Sequence, residues 1–256
     1  GLPGFNFTVA ALQQKVFNRS NVSLIFVNKD AINGEDNSTL YNKYNRVAGL
    51  EYRLASADNQ WTGKTFAHMS FSPDQEPHNF AHGFQLEYLR RKYRTEWAHV
   101  FIGNGFNAEV GFVPRKDYFL MSPEGQIFFY PKKGIVNQHS VNVDTRFFLQ
   151  VGQDGNEIIP EWGLSEWQIE ADWEFQFKNN TRGTISATYD NITLLQDFDP
   201  TRVQEDGIFL PEGTQYRFAA FEAEYTSDQR KKFFMEIAPS IGKFYNGFRT
   251  GIRGEF

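Results

Sequence analysis

The segment from Asn107 to Tyr118 carries the side chains best suited to contact a ligand. Glu109, Arg115 and Asp117 supply charges of both signs beside apolar residues and a glycine that permits unusual backbone angles. Two interpretations are open. In one, which assumes the β-barrel fold argued below, the segment folds into the lumen and narrows it. There it contacts a ligand through Asn107, Glu109, Arg115, Asp117 and Tyr118. In the other, it caps the barrel, with Glu109 and Arg115 as a structural ion pair.

Three carboxylates recur at alternate positions of one segment, at Glu170, Asp172 and Glu174. Alternate residues of a strand share a face. Glycoside hydrolysis needs two carboxylates about 5–5.5 Å or about 6.5–9.5 Å apart, one of them with a raised pKa. Because the chain has 31 acidic residues, such a pair arises readily and identifies no enzyme. We interpret the three as part of a polar lumen wall and assign no catalytic residue.

The sequence lacks the residue patterns of several kinds of site. The sequence contains no cysteine, which excludes thiolate metal ligands, disulfides and a cysteine nucleophile. His78 and His82 have the spacing of a helical zinc pair, but they flank a predicted loop-to-strand junction and do not share a face. The acidic loop over residues 197–206 has no EF-hand pattern. We therefore expect no metal, and because no Gly-rich phosphate loop occurs, we expect no cofactor.

Composition narrows the possible partners. A net charge of -5 without a basic block argues against nucleic acid. Mean hydropathy is -0.53, and no stretch approaches the roughly 18 apolar residues of a membrane-spanning helix. A membrane barrel is still compatible with this composition, because its signal is alternation and is weaker per segment. The 17% of aromatic residues favours strands and is typical of barrel interfaces.

The elements that position these residues are predicted to be β-strands. From Gln168 to Lys178, polar and apolar residues alternate without error, which excludes a helix. Similar alternation along the chain predicts about thirteen strands. They cover residues 5–16, 22–27, 46–55, 61–71, 80–90, 95–102, 118–130 (with a bulge at 122–125), 141–151, 164–177, 182–195, 215–226, 232–244 and 248–256.

The lengths of strands and connections indicate the fold class. Soluble strands commonly have about 5–6 residues, whereas a tilted membrane strand needs about 9–11, as many of the predicted strands have. Short turns alternate with long loops, as on the two sides of an outer-membrane barrel. The sequence therefore predicts an all-β, antiparallel up-and-down transmembrane β-barrel. Bacterial single-chain barrels have even strand numbers, so about thirteen strands predict an incomplete barrel, seen as an open curved sheet.

The cost of placing charge in lipid assigns the two faces of the sheet. Arg or Lys facing lipid at mid-bilayer costs about 2–4 kcal/mol, and Asp or Glu somewhat less. Charged strand residues should therefore face the lumen, and the large apolar residues between them should face lipid. The lumen set is Glu51, Arg53, Glu170, Asp172 and Glu174, and the lipid set is Trp173, Phe175 and Phe177. In the alternative fold, a soluble sandwich or solenoid, the charged face meets bulk water.

Several segments resemble one family. They are residues 54–61, 70–74, 106–118, 197–201, 210–216 and 227–231. The most specific is the run Asn-Ala-Glu-Val-Gly-Phe-Val-Pro-Arg from Asn107 to Arg115. Together they resemble the uncharacterised C-terminal barrel domain of Bacteroidetes-type outer-membrane proteins whose N-terminal part is a family-nine carbohydrate-binding module. The resemblance covers nearly the whole chain and implies that residues 1–256 are a single barrel-domain fragment, without that module and further strands.

The resemblance supplies no catalytic residue for the barrel. It implies a non-catalytic protein of the bacterial outer membrane with a role in passage, docking or anchoring, linked to carbohydrate binding or uptake. Its partners would be outer-membrane lipid and, through the absent module, glycans. The alternative is a soluble secreted all-β protein that binds or hydrolyses polysaccharide. Aromatic residues clustered on one concave face would favour that alternative, whereas two girdles around an apolar band would favour the barrel.

Overall fold

The computed structural model describes residues 3–34, 40–151, 163–200 and 209–256. Within these ranges every regular element is a β-strand, which confirms the all-β expectation. No helix in the described ranges is long and apolar enough to cross a bilayer. The strands are β1 Gly4–Val16, β2 Ser20–Ile32, β3 Tyr44–Ala55, β4 Trp61–Phe71, β5 Phe80–Leu89, β6 Tyr93–Ile102, β7 Tyr118–Phe129, β8 Val136–Gln150, β9 Gly163–Phe177, β10 Arg182–Thr193, β11 Gln215–Thr226, β12 Glu236–Phe244 and β13 Gly247–Glu255.

The strands are ordered in the sheet as they are in the chain. Each strand is hydrogen-bonded to the one before it and the one after it, from β1 through to β13. Where the register is resolved, the pairs are antiparallel. The ends of the order, β1 and β13, do not pair with each other, so the sheet is open. The expected antiparallel up-and-down arrangement is confirmed in this open form.

Three strand bounds differ from the sequence prediction by more than two residues. β2 continues to Ile32, because Lys29 and Ala31 remain paired with β1. β8 begins at Val136 and β12 at Glu236. β7 runs through residues 122–125 as one strand, so the proline there does not divide it.

The chain divides into two compact units. Unit 1 comprises Gly1–Leu89, Glu96–Met121 and Gln150–Asp154, and unit 2 comprises Arg90–Thr95, Ser122–Leu149 and Gly155–Phe256.

In unit 1, register places the expected charged residues together. Arg53 lies opposite Lys64 of β4, two positions from Glu51, so Glu51 and Arg53 share a face. The Glu51 carboxylate pairs with Lys64 at 3.4 Å and lies 3.3 Å from the Nε2 atom of His68. Leu50, which precedes Glu51 in the chain, points to the other face and is 51% exposed.

In unit 2, the alternation of β9 separates its side chains cleanly. Glu170, Asp172 and Glu174 lie opposite hydroxyl residues of β10, and the Ser140 hydroxyl donates to Glu174 at 3.2 Å. Trp173 lies on the other face opposite Ile185. The rings of Trp173 and Phe175 are 4.8 Å apart, and those of Phe175 and Phe177 are 6.3 Å apart. The two sets occupy opposite faces, as the alternation predicts.

Both units combine fully buried polar side chains with many exposed apolar ones. The largest fully buried side chains among the described residues are all polar: Asn45, Ser70, Ser140, Ser165 and Asn191. Large apolar side chains are exposed instead, including Leu12 at 65%, Leu24 at 52%, Ile185 at 53% and Phe221 at 57%. A buried polar side chain and an exposed apolar surface are the informative departures from ordinary globular burial.

Connections alternate in length through most of the chain. The short segments between strands are 17–19, 56–60, 90–92, 130–135 and 178–181, and the long ones are 33–43, 72–79, 103–117, 151–162 and 194–214. The last two connections do not follow this rule. The connection 227–235 is long although it lies at the end with the short turns, and 245–246 is short although it lies at the other end. Much of the predicted acidic loop, including Glu205 and Asp206, lies outside the described residues.

Candidate functional site

The β6–β7 loop, residues 103–117, folds over the charged face of unit 1. Its Phe106 is buried against Val47 and Ala81. Val47 shares a face with Glu51, because the two are four residues apart on one strand. Val27, Phe66, Ile102, Ala108 and Val113 pack around this cluster. Each large apolar side chain buried here contributes about 1.5–3 kcal/mol. The loop is therefore a packed layer on the charged face.

Two buried polar side chains attach the loop to the sheet. The Asn45 Nδ2 donates to the carbonyl of Asn107 at 2.9 Å, and its Oδ1 accepts from the Glu109 N–H at 3.1 Å. The Ser70 Oγ accepts from the Asn107 N–H at 2.9 Å and donates to the Gly105 carbonyl at 3.4 Å. Asn45 and Ser70 are each 1% exposed. They replace water for backbone groups that have no strand partner.

Two glycines bring the start of the loop against the neighbouring loop 72–79. The Gly103 N–H donates to the Phe80 carbonyl at 3.0 Å. A Cβ on Gly103 would overlap the carbonyl oxygen of His78, and one on Gly105 would overlap that of Pro77. Only glycine permits this approach of two backbones.

The Glu109 carboxylate is held beneath the loop. It pairs with Lys29 at 2.5 Å, with the two side chains 19% and 16% exposed. Asn42 also donates to it, and the side chain of Asn107 donates at 3.4 Å. The Lys29 ammonium lies 4.3 Å from the centre of the Phe5 ring. Two of the predicted contact residues, Asn107 and Glu109, are thus brought together in one polar cluster.

The other three predicted residues lie at the end of the loop. The Arg115 guanidinium lies 5.5 Å from the centre of the Tyr118 ring. Asp117 is 5% exposed and accepts from the Gln150 amide at 3.0 Å. The backbone N–H of Asp117 donates to the carbonyl of Ile102 at 2.7 Å. Its φ angle of 64° lies in the left-handed region. Arg115 and Tyr118 thus form a pair, while Asp117 anchors the loop from within.

The tip of the loop is the part available to a solute. Val110 is 42% exposed and Phe112 is 86% exposed, and Lys116 is also exposed. The tip therefore presents apolar surface and a cation in front of the charged face. No group of three or more His, Asp or Glu side chains suited to a metal occurs in the described part of the chain.

Comparison with known proteins identifies a family. The family model described as Domain of unknown function (DUF5916) matches residues 3–255. The chain belongs to the DUF5916 family. The search of curated proteins and the search of solved structures each returned no match.

Sequence reasoning missed four residues that build the site in this DUF5916 chain. Lys29, Asn42, Asn45 and Ser70 contact the loop from positions between 35 and 80 residues away. Asn45 and Ser70 stand at the ends of strands, where the alternation of faces still applies. Nothing local in the sequence pairs them with the loop, so only the register of the sheet reveals their role.

Replacing Asp117 by asparagine should reduce the pH dependence of stability of this DUF5916 chain. Burial raises the pKa of Asp117 above its ordinary value, so the folded state binds the proton more tightly than the unfolded state. Stability from this carboxyl is therefore lost as pH rises from its ordinary pKa through the raised one. Asparagine retains an acceptor for Gln150 and tolerates a positive φ.

The measurement is denaturant unfolding of the wild type and Asp117→Asn between about pH 3 and pH 7, across the ordinary carboxyl pKa. The variant should gain stability relative to the wild type as pH rises. Asp74→Asn, in an exposed loop, is the control for replacing a carboxylate by an amide. Parallel profiles for the wild type and Asp117→Asn would contradict the role assigned to this carboxyl.

Proposed function

We propose that this chain forms the wall of a transmembrane β-barrel in a bacterial outer membrane. The observation that carries the proposal is the pattern of burial: the largest fully buried side chains among the described residues are polar, while many leucine, isoleucine and aromatic side chains are exposed. In water, such an apolar surface would drive aggregation or association. In a bilayer, hydrocarbon covers it at no cost, and the charged face lines a lumen.

Strand length and loop parity support the same conclusion. The shortest strands, β12 and β13, have 9 residues, and the longest, β8 and β9, have 15. A tilted strand crosses the hydrocarbon layer in about 9–11 residues. Outer-membrane barrels have short turns at the periplasmic end and longer loops outside. By this rule the β6–β7 loop lies at the extracellular end.

In the proposal, the β6–β7 loop narrows a passage rather than catalysing a reaction. It is fixed to the charged face by Asn45, Ser70 and the Lys29–Glu109 pair. The wall beside it carries charges of both signs, including Glu51, Arg53 and Lys64. A wall of mixed charge suits hydrophilic solutes without a large net charge, because neither sign dominates the local potential.

The proposal links this passage to carbohydrate handling. Its support is the resemblance to barrel domains that follow a family-nine carbohydrate-binding module, and a cleft of about 350 Å³ in unit 2. Phe218 and Phe244 line the cleft, with Asp190, Glu222 and Arg249 among the polar residues. Aromatic surface combined with a few charged groups is the usual make-up of a small-molecule pocket. Carboxylates and a guanidinium supply acceptors and donors for hydroxyl groups.

The test is the location and folding state of the full-length gene product that contains this chain. Cells of a Gram-negative host are fractionated, and the membrane fraction is run on a gel with and without heating. We expect the product in the outer-membrane fraction, with a compact band that shifts on heating. A soluble product without a heat-shifted band would contradict the proposal and favour a secreted polysaccharide-binding protein.

A further inference from the structure

The short-turn end of unit 2 is strongly basic. We define the basic rim as the four connections 90–92, 130–135, 178–181 and 227–235. They contain nine Lys or Arg side chains, all exposed, and one carboxylate, Asp228. The cations are Arg90, Arg91, Lys92, Lys132, Lys133, Lys178, Arg230, Lys231 and Lys232. No two connections are adjacent in sequence, so the charge is concentrated only by folding.

Contacts along the rim place the first two connections side by side. The Tyr130 hydroxyl donates to the Arg91 carbonyl at 2.9 Å. The Arg91 guanidinium lies 5.5 Å from the centre of the same ring. The Phe128 N–H donates to the Lys92 carbonyl at 2.8 Å. Residues 90–92 are therefore fixed against the start of 130–135.

Similar contacts continue the rim to its other end. The Lys178 N–H donates to the Ile135 carbonyl at 2.9 Å, which joins the second connection to the third. The side chains of Asn180 and Asp228 are hydrogen-bonded, which joins the third to the fourth. The nine cations therefore follow one continuous edge of unit 2.

The single carboxylate within the four connections, Asp228, pairs with Arg230. Arg230 binds Asp228 through two nitrogens, at 3.1 and 3.2 Å. Hydrogen bonds from Arg230 lower the pKa of Asp228, so this pair stays ionised. The four connections together contain nine cationic side chains and one carboxylate, although the whole chain has a net charge of -5.

Apolar side chains stand next to these cations. Phe129 and Tyr130 are each 43% exposed, Ile135 is 74% exposed and Phe233 is 92% exposed. Aromatic residues gather at the level of the headgroups in membrane proteins, where one part of the side chain meets hydrocarbon and another meets water. The combination of cations with exposed aromatic rings fits a lipid surface better than a soluble polyanion.

The opposite end of unit 2 has the opposite charge. In its described connections, 194–200, 209–214 and 245–246, the charged residues are Asp197, Asp199 and Glu212, with no Lys or Arg. Among the described connections of unit 2, the positive charge is therefore concentrated at one end. It does not arise from a chain that is basic overall.

We propose that the basic rim binds the headgroups of anionic phospholipids. This inference rests on the proposed function, since the rim must lie at the edge of a bilayer, and the short-turn end would face the inner leaflet. A Lys or Arg near an anionic membrane surface gains roughly fivefold in binding. Because the cations belong to four connections, they match a plane of headgroups rather than a single ligand.

The test measures which lipids surround the protein. The purified chain is reconstituted into vesicles that contain brominated phosphatidylglycerol or brominated phosphatidylcholine, and quenching of tryptophan fluorescence gives the relative affinity for each lipid. The first variant replaces Lys132, Lys133, Lys231 and Lys232 by glutamine. The matched control replaces the same four residues by arginine and so keeps the charge.

We expect the wild type to prefer phosphatidylglycerol by roughly fivefold or more at low salt. The glutamine variant should lose most of this preference, and the arginine variant should keep it. Added salt should weaken the preference, because exposed charges are screened beyond about 10 Å at 0.1 M.

Three outcomes would overturn the inference. The first is an equal preference in the wild type and the glutamine variant. The second is competition by inorganic polyphosphate that removes the preference completely, which would mark a general polyanion surface. The third is quenching by both lipids without any preference, which would leave the membrane proposal standing while this inference fails. Absence of quenching by either lipid would overturn both.

Discussion

Replacing Ile169 by arginine is expected to destabilise the protein in a lipid bilayer by about 2–4 kcal/mol. Ile169 lies near the middle of β9, opposite Tyr189 on the apolar face, and is 39% exposed. In the proposed orientation an arginine at this position meets hydrocarbon near the bilayer centre. The measurement is denaturant unfolding of protein folded into phospholipid vesicles, followed by tryptophan fluorescence.

Matched variants on the same strand make this prediction specific. Glu170→Gln, on the opposite face, should change stability by no more than about 0.5 kcal/mol, as a solvated surface change does. Asp172→Asn should behave in the same way. Trp173 lies nearer the short-turn end, so Trp173→Arg should cost less than Ile169→Arg, because the cost of a charge facing lipid falls from the bilayer centre toward the interface. Equal costs on the two faces would contradict the assignment of lipid and lumen sides.

Replacing Gly105 by alanine is expected to release the β6–β7 loop from the sheet. The new Cβ would overlap the Pro77 carbonyl and would lie 2.6 Å from that of Glu76, and both obstacles are backbone atoms. Overpacking of this kind costs about 1–3 kcal/mol. If the loop detaches to relieve it, its open form becomes about 5–150-fold more populated, and proteolysis follows that population.

The measurement is the rate of tryptic cleavage after Arg115 or Lys116 in the folded protein. Gly111→Ala is the matched control in the same loop, because its nearest neighbour, the Ala108 carbonyl oxygen, is 3.6 Å away. The control should be cleaved at the wild-type rate. In planar bilayers, Gly105→Ala should also conduct more than Gly111→Ala if the loop narrows a passage. Unchanged cleavage of Gly105→Ala would show that the neighbouring loop yields instead.

The strands could be predicted because their physical cause is local. Along β9, the charged residues Glu170, Asp172 and Glu174 alternate with Trp173, Phe175 and their neighbours, and no other element gives that period. Prediction was weaker where alternation fades. β2 continues through Asn28, Lys29 and Asp30, which resemble a polar loop but remain paired with β1. Pairing with a neighbour, which cannot be seen in β2 alone, decides where it ends.

The site could be predicted only in part, because its cause is not local. The residues of the loop itself were found from their charges, and Asn107 and Glu109 do lie together. Their supports, Asn45 and Ser70, are ordinary polar residues at strand ends. Asn45 lies 62 residues from Asn107, and Ser70 lies 37 residues from it. Such contacts arise once the strands are in register, so composition and spacing carry no sign of them.

The strictly sequential strand order has a consequence for how such a sheet arises and changes. Every strand finds its partners immediately before and after it in the chain, so each hairpin forms from contiguous sequence. Such contacts close short segments of chain and avoid the slow search for remote partners. A gene duplication that adds one hairpin, or a deletion that removes one, would leave all other pairings in register. The number of strands in the sheet is therefore free to vary by pairs during evolution.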